Sequence, residues 1–240
     1  MTRPPRTPVG PGPRTPAPVE APPTRRYDYL TDGDEIYRRS FGMIRDRADL
    51  SALPADLATV ATRVIHACGD VGVVTDLAAS RDVVHAARTA LEAGAPVLTD
   101  SLMLAHGVTR RRLPADNEVV CTLREPEVPE LARAWSTTRA AAAVSLWGDR
   151  LDGAVVAIGN APTALFHLLE LVLDGAPRPA AVVGMPVGFV GSAESKVALA
   201  EHVLPDGTQL PWIVVHGHRG GSAMAAATVN ALATRSELAR

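Results

Sequence analysis

Seven histidines, two cysteines and a single lysine carry much of the reactive chemistry open to this 240-residue chain. His66 comes first. It sits in Arg63-Val64-Ile65-His66-Ala67-Cys68-Gly69-Asp70, near the end of an amphipathic segment. Imidazole titrates near neutrality, so it is the usual proton donor or acceptor at pH 7. A helix C-terminus would favour its protonated form. Arg139 has the fork geometry to hold a carboxylate with two parallel bonds. Ser40 offers a hydroxyl on a predicted helix, and Asp100 closes a predicted strand. His216 and His218 fall on one face of a strand, but two histidines without a third ligand do not make a metal site. Each residue also has an ordinary structural reading. His66 can be a satisfied histidine, Arg139 a solvated helix charge, Asp100 a helix cap, and Arg110-Arg111-Arg112 a mostly solvated run.

Glycines supply a second kind of chemistry. Three times an apolar run leads into a glycine-rich loop and then a helical segment. The first is Ala154–Ile158 with Gly159-Asn160-Ala161-Pro162-Thr163. The second is Ala180–Val183 with Gly184-Met185-Pro186-Val187-Gly188-Phe189-Val190-Gly191-Ser192. The third is Trp212–His216 with Gly217-His218-Arg219-Gly220-Gly221-Ser222. Strands that feed helix N-termini through such loops line up backbone N–H donors on the carboxyl edge of a parallel sheet, where anionic ligands bind. Two nucleotide signatures fail here. Lys196 follows Gly191-Ser192-Ala193-Glu194-Ser195 and lacks the glycine and hydroxyl of a phosphate loop. Gly184, Gly188 and Gly191 have the wrong spacing for a dinucleotide fingerprint.

The elements that would position these groups follow from periodicity. Asp32–Arg47 reads as a helix with Ile36, Tyr37, Phe41 and Ile44 on its apolar side, Asp32 as N-cap and Glu35 completing a capping box. Pro54–Cys68 is a second helix, with a stripe of Leu57, Val60, Ala61, Val64 and Ile65 and a stop at Gly69. Arg81–Ala93 is a third. Pro96–Thr99 and Glu118–Leu123 read as strands and Pro129–Trp147 as one Ala-rich helix. Strands alternating with helices predict an α/β fold, a three-layer α/β/α arrangement with a mostly parallel sheet of about five strands in a single domain.

Composition narrows the class. Residues 1–26 hold nine prolines and a charge of +4, which predicts a disordered Pro-rich tail ahead of an α/β domain over 27–240. The whole chain carries −2, so the domain carries −6 and is not built to bind nucleic acid. No apolar run is long enough to span a bilayer, so no membrane partner is expected. Cys68 and Cys121, with no Cys/His cluster, argue against a structural zinc and fit a reducing, cytoplasmic setting.

Taken together, particular stretches resemble the precorrin-8X methylmutase family of cobalamin biosynthesis. They include Tyr27-Asp28-Tyr29, Ile36-Tyr37-Arg38-Arg39-Ser40-Phe41, Val64-Ile65-His66-Ala67-Cys68-Gly69, Gly94-Ala95-Pro96-Val97-Leu98-Thr99-Asp100 and Gly107-Val108-Thr109-Arg110. The densest similarity runs through Val155–Phe166, Gly184–Gly191, Ala193-Glu194-Ser195-Lys196 and Gly220-Gly221-Ser222-Ala223-Met224. The resemblance covers Tyr27–Ala233. It implies an isomerase that moves a methyl group from C11 to C12 of a corrin-type macrocycle, precorrin-8X, to give hydrogenobyrinate. No cofactor, metal ligand set or methyl donor is implied, because the migrating methyl is already on the substrate.

The resemblance also implies a homodimer with the substrate near its interface. It places the catalytic histidine on His66, a substrate-contacting serine on Ser40 and a substrate-binding arginine on Arg139. Asp100, Thr109, Gly159, Asn160, Gly188, Lys196, Gly221 and Ser222 complete the expected substrate-binding set, holding the macrocycle's carboxylates. The chain departs from the family at Ser136-Thr137-Thr138, where Gly-Asn-Thr is common, and at Ala140, His216, His218 and the segment 202–210. A cobalt-containing substrate and a non-catalytic corrinoid carrier are the readings set beside the isomerase.

Overall fold

The computed structural model describes Pro22 and residues 24–234. Most of the expected tail over residues 1–26, and the last six residues of the expected domain, lie outside the described residues. Within them the chain forms a six-stranded sheet between two helical layers. In chain order the strands are β1 (Leu77–Ala79), β2 (Val97–Thr99), β3 (Val119–Val120), β4 (Val155–Ile158), β5 (Ala181–Gly184) and β6 (Trp212–Val215), arranged β1-β6-β5-β4-β2-β3. All neighbouring pairs are parallel except β1 with β6.

The helices are α1 (Gly33–Arg47), α2 (Ala55–Cys68), α3 (Val83–Glu92), α4 (Leu102–Gly107), α5 (Val128–Ala134), α6 (Arg139–Ser145), α7 (Pro162–Leu173), α8 (Ser192–Glu201) and α9 (Ser222–Leu232). Alternation along the strands assigns them to layers. Val97, Val155, Ala157, Ala181, Val183, Ile213 and Val215 face the core under α2, α3, α4 and α9, with α1 outside α2. Leu98, Val156, Ile158, Val182 and Val214 face the core under α6, α7 and α8. The period of two that pleating imposes thus makes two cores from one set of short apolar strands.

Local signals act largely as their chemistry predicts. The Asp32 carboxylate caps α1 by accepting from the Asp34 and Glu35 N–H groups. The expected return bond from Glu35 gives way to ion pairs with Arg38 and Arg39. Gly69 ends α2 in the left-handed conformation (φ 69°).

Three expectations change. A sixth strand, β1, appears as a three-residue antiparallel edge, too short to show a period. The strand predicted over Glu118–Leu123 pairs only at Val119–Val120. The single helix predicted over Pro129–Trp147 breaks into α5 and α6, because Ser136 takes φ 52° and Thr138 caps a new helix through the Ala141 N–H.

Gly220 shows how tightly the carboxyl edge is closed. A Cβ there would stand 2.4 Å from the carbonyl oxygens of both Met185 and Pro186. Those atoms are backbone and cannot swing aside. Gly220→Ala is expected to lower the unfolding free energy by about 2 kcal/mol or more, read from urea denaturation. An unchanged midpoint would mean the loop has slack the packing does not show.

Candidate active site

The first site element is the contact between α1 and α2. Residues three and four apart share a helix face, so Tyr37, Ser40 and Phe41 of α1 turn together toward Arg63 and His66 of α2. Ser40 Oγ lies 2.9 Å from His66 Nδ1. The Phe41 ring centroid is 4.9 Å from the imidazole and that of Tyr37 is 5.7 Å away, and the two rings stack on each other at 4.3 Å. Burial lowers the His66 pKa from 6.5, and the Arg63 charge lowers it further. Both effects favour the neutral imidazole. When the Ser40 hydroxyl donates to Nδ1, the ring proton resides on Nε2, outside that bond, where it can be offered to a ligand.

His66 borders two small clefts. One, of about 170 Å³, runs along Ser40, Met43, Ile44, Arg47 and Ile65. The other, of about 190 Å³, lies between Tyr37, Arg63, Arg112 and Asn230. Arg112 belongs to the run expected to be mostly solvated. Here it is half-buried and turned into the second cleft, a position set by tertiary packing rather than by its neighbours in sequence. Thr109 sits beside it, its N–H donating to Asn230 Oδ1 (2.7 Å).

The second element is the carboxyl edge, and there the expected ligand donors are largely spent within the protein. Asp100 is buried at the end of β2. Its carboxylate accepts from the N–H groups of Gly159 (3.0 Å), Asn160 (2.9 Å) and Ala161 (2.8 Å). Burial pushes the Asp100 pKa up while these three donors pull it down. Asp100, Gly159 and Asn160 are thus bound to one another, which differs from a direct hold on substrate through those groups.

Lys196 is wholly buried, and its ammonium donates to the carbonyls of Gly217 and Arg219. Burial lowers its pKa to about 8, opposed by the Asp76 charge. It clamps a loop and does not reach out. Arg219 in turn pairs with Asp70 (3.2 Å) and Asp76 (3.6 Å). The N–H of Gly188 donates to the His218 carbonyl, that of Gly221 to the Met185 carbonyl, and Ser222 Oγ meets Ser101 Oγ at 3.0 Å. For the buried groups among these the physical reason is shared. A buried backbone or side-chain polar group needs a partner whether or not a ligand is present.

Arg139 is exposed in the first turn of α6. The hydroxyl pair Thr138–Thr163 (2.8 Å) ties that turn to the start of α7 at the same edge. Because α6 covers one face of the sheet and α2 the other, Arg139 and His66 stand in opposite layers. Tyr37, Phe41 and Arg63 belong to the site without having been singled out as functional. Their spacing from Ser40 and His66 on two helices was the available signal. Among the described residues no cluster of three or more His, Cys, Asp or Glu is placed to hold a metal ion.

Comparison with known proteins gives a consistent result. The family model described as precorrin-8X methylmutase matches residues 35–235. A precorrin-8X methylmutase from Sinorhizobium sp. is 58% identical over 207 residues, covering 86% of this chain and 97% of the relative. A cobalt-precorrin-8 methylmutase from Methanothermobacter thermautotrophicus is 38% identical over 203 residues, covering 83% and 92%. The crystal structure of a precorrin-8X methylmutase from Thermus thermophilus superimposes with a TM-score of 0.74 at 42% identity, covering 84% of this chain and 95% of that one.

The Asp100 cluster can be tested without any ligand. Asp100→Asn keeps the shape but turns an amide donor toward three N–H groups. It is expected to cost about 3 kcal/mol of stability, measured by chemical denaturation. A variant as stable as the parent would show that the carboxylate does not hold the β4–α7 loop.

Proposed function

The chain belongs to the precorrin-8X methylmutase family and is an isomerase of cobalamin biosynthesis, and we propose that it moves the C11 methyl of metal-free precorrin-8X to C12, giving hydrogenobyrinate, with His66 as the proton donor. One observation carries this reading: the Ser40–His66 pair under the Tyr37 and Phe41 rings, with Nε2 left free of that bond. The metal-free substrate is supported by the much higher identity to the Sinorhizobium relative than to the cobalt-precorrin-8 relative.

The chemistry asked of His66 is modest. A hydrogen bond or proton from Nε2 to the conjugated ring system withdraws electron density from it. The methyl then migrates with its bonding pair from C11 to C12, and the proton returns to the imidazole. Nothing is gained or lost, so no co-reactant is needed. A low pKa makes the charged form of His66 a stronger acid, and the apolar aromatic wall strengthens its hydrogen bond. Ser40 holds the ring orientation, and Arg139 takes a peripheral carboxylate of the substrate.

The site is a composite one in this reading. His66 and Arg139 occupy opposite layers of one chain. Large apolar side chains are exposed around the same molecule, with Phe189 86% and Val190 89% exposed in the loop after β5. A homodimer that covers such groups and brings Arg139 of one protomer toward His66 of its partner accounts for both features. Among the described residues no helix is long and apolar enough to cross a membrane. Cys68 and Cys121 are both free thiols, which supports a cytoplasmic setting.

An absorption time course with metal-free precorrin-8X tests the reaction. Wild type is expected to convert it to hydrogenobyrinate over many turnovers, and His66→Ala to fall by about 10²–10⁴-fold. Equal rates would remove His66 as the donor. Stoichiometric binding without conversion would favour the cobalt substrate or a carrier. The composite site has its own test. Equimolar co-refolded His66→Ala and Arg139→Ala chains are expected to regain about a quarter of wild-type activity, since half the dimers are mixed and each then holds one intact site. No recovery would place both residues from one protomer in each site.

A further inference from the structure

We infer that Lys196 is a positioning residue: its ammonium fixes the β6–α9 loop so that Arg219 braces the turn beside His66. The inference rests on the function proposed above and adds two residues to it, both acting through other groups. The choice of side chain is the first sign. Of the 24 lysines and arginines in the chain, every one but Lys196 is arginine. Arginine presents a broad plane with a fixed fork of donors, whereas an ammonium gathers three donors on one atom. Lys196 is wholly buried in α8, and its ammonium donates to two carbonyls of one tight loop, those of Gly217 (2.8 Å) and Arg219. A compact tip serves that geometry, and a guanidinium plane does not.

The loop needs such a clamp. It reads Gly217-His218-Arg219-Gly220-Gly221, with φ 73° at Gly217 and 125° at Gly221. Glycine backbone has little conformational preference of its own, so bonds to the rest of the fold must set the path of the loop. At one end the Gly221 N–H donates to the Met185 carbonyl (2.8 Å). At the other the Lys196 ammonium holds two carbonyls. A buried charge that lost those carbonyls would have no water in their place, so the ammonium and the loop stay together.

Arg219 carries this order to the site. Its guanidinium reaches the carboxylates of Asp70 (3.2 Å) and Asp76 (3.6 Å). Those two residues bracket the 3-10 turn Val71–Asp76, which follows α2 directly. Asp70 also accepts from the Gly72 N–H (2.8 Å), and the Asp76 carbonyl accepts from the His216 N–H (2.7 Å). Gly69 and Val71, at the entrance to the turn, line the cleft that Ser40 and His66 border. A shift of the turn therefore moves the wall against which the proton donor meets its ligand. Arg219, Asp70 and Asp76 are all partly exposed, and ion pairs of that kind contribute little to overall stability. Rate is the more sensitive quantity, because a misplacement of about 1 Å can cost about 10²-fold.

Turnover of precorrin-8X and binding of hydrogenobyrinate by the full-length protein, both read by absorption, test the inference. Arg219→Gln removes the brace and leaves both carboxylates in place. It is expected to lower kcat by about 10-fold or more, with the Kd for hydrogenobyrinate and the Tm near those of wild type. Arg219→Lys is expected to restore most of the rate, because an ammonium still pairs with the two carboxylates. Lys196→Met is expected to lose at least as much rate as Arg219→Gln. Where circular dichroism shows that it does not fold, the two Arg219 variants decide alone. A wild-type kcat in Arg219→Gln overturns the inference, as does equal loss in Arg219→Lys and Arg219→Gln. A fall in Tm in step with the rate would make the brace merely structural, and a loss of product affinity that matches the rate would make Arg219 a substrate ligand; either result overturns positioning. Turnover by wild type separates the two readings. If wild type and Arg219→Gln convert precorrin-8X equally, only the positioning role fails. If wild type does not convert it, the function itself fails and the positioning role with it.

Discussion

The constraint on which the rest depends is the burial of a parallel sheet on both faces. Parallel strands need crossover helices, and the crossovers put every strand's carboxyl end on one edge. Here β2, β4, β5 and β6 all end on that edge, and each feeds a loop that must turn at once into a helix. A loop packed so closely has few routes to water for its N–H and carbonyl groups. The chain answers with internal partners: the Asp100 carboxylate for Gly159, Asn160 and Ala161, and the Lys196 ammonium for the carbonyls of Gly217 and Arg219. A carboxylate accepts from the donors and an ammonium donates to the acceptors. The same edge that looks like a bed of free ligand donors in sequence is a set of loops already tied to one another.

The Ser40–His66 pair, for which we propose the proton chemistry, lies elsewhere, on the outer helical layer. Helix α1 packs on α2, and this contact creates the Ser40–His66 pair and the aromatic wall and contributes one side of each small cleft. The arrangement sets the electrostatics too. Partial burial and a neighbouring guanidinium disfavour the imidazolium, while the aromatic rings exclude water from one side.

Much of the fold was legible in the residues. The continuous apolar runs Val155–Ile158, Ala181–Gly184 and Trp212–Val215, together with the glycines after them, read directly as buried parallel strands ending in tight turns. Asp32, Pro54 and Gly69 mark helix ends by local chemistry. What escaped was short or broken. Leu77–Ala79 holds three residues, less than two full alternations, and is a strand only because β6 offers it an open edge. Ser136 interrupts an Ala-rich run through a positive φ that a serine adopts only when the surrounding packing requires it.

For the site, residue types and their resemblance to a family were enough to single out His66, Ser40 and Arg139. The sequence by itself determined which groups could carry protons and charge, because that is a property of side chains. It also determined the layered α/β fold, because that is a property of periodicity. Only the tertiary structure decided which groups are free to act. Asp100 and Lys196 have the chemistry of ligand-binding residues but are consumed by buried backbone partners. Arg112 reads as part of a mostly solvated run in sequence, yet packing of α9 and the turn at Arg110–Arg112 sets it at the wall of a cleft beside His66. Hydrogen-bond partnership and burial depend on contacts between residues far apart in the chain, and no local pattern encodes them.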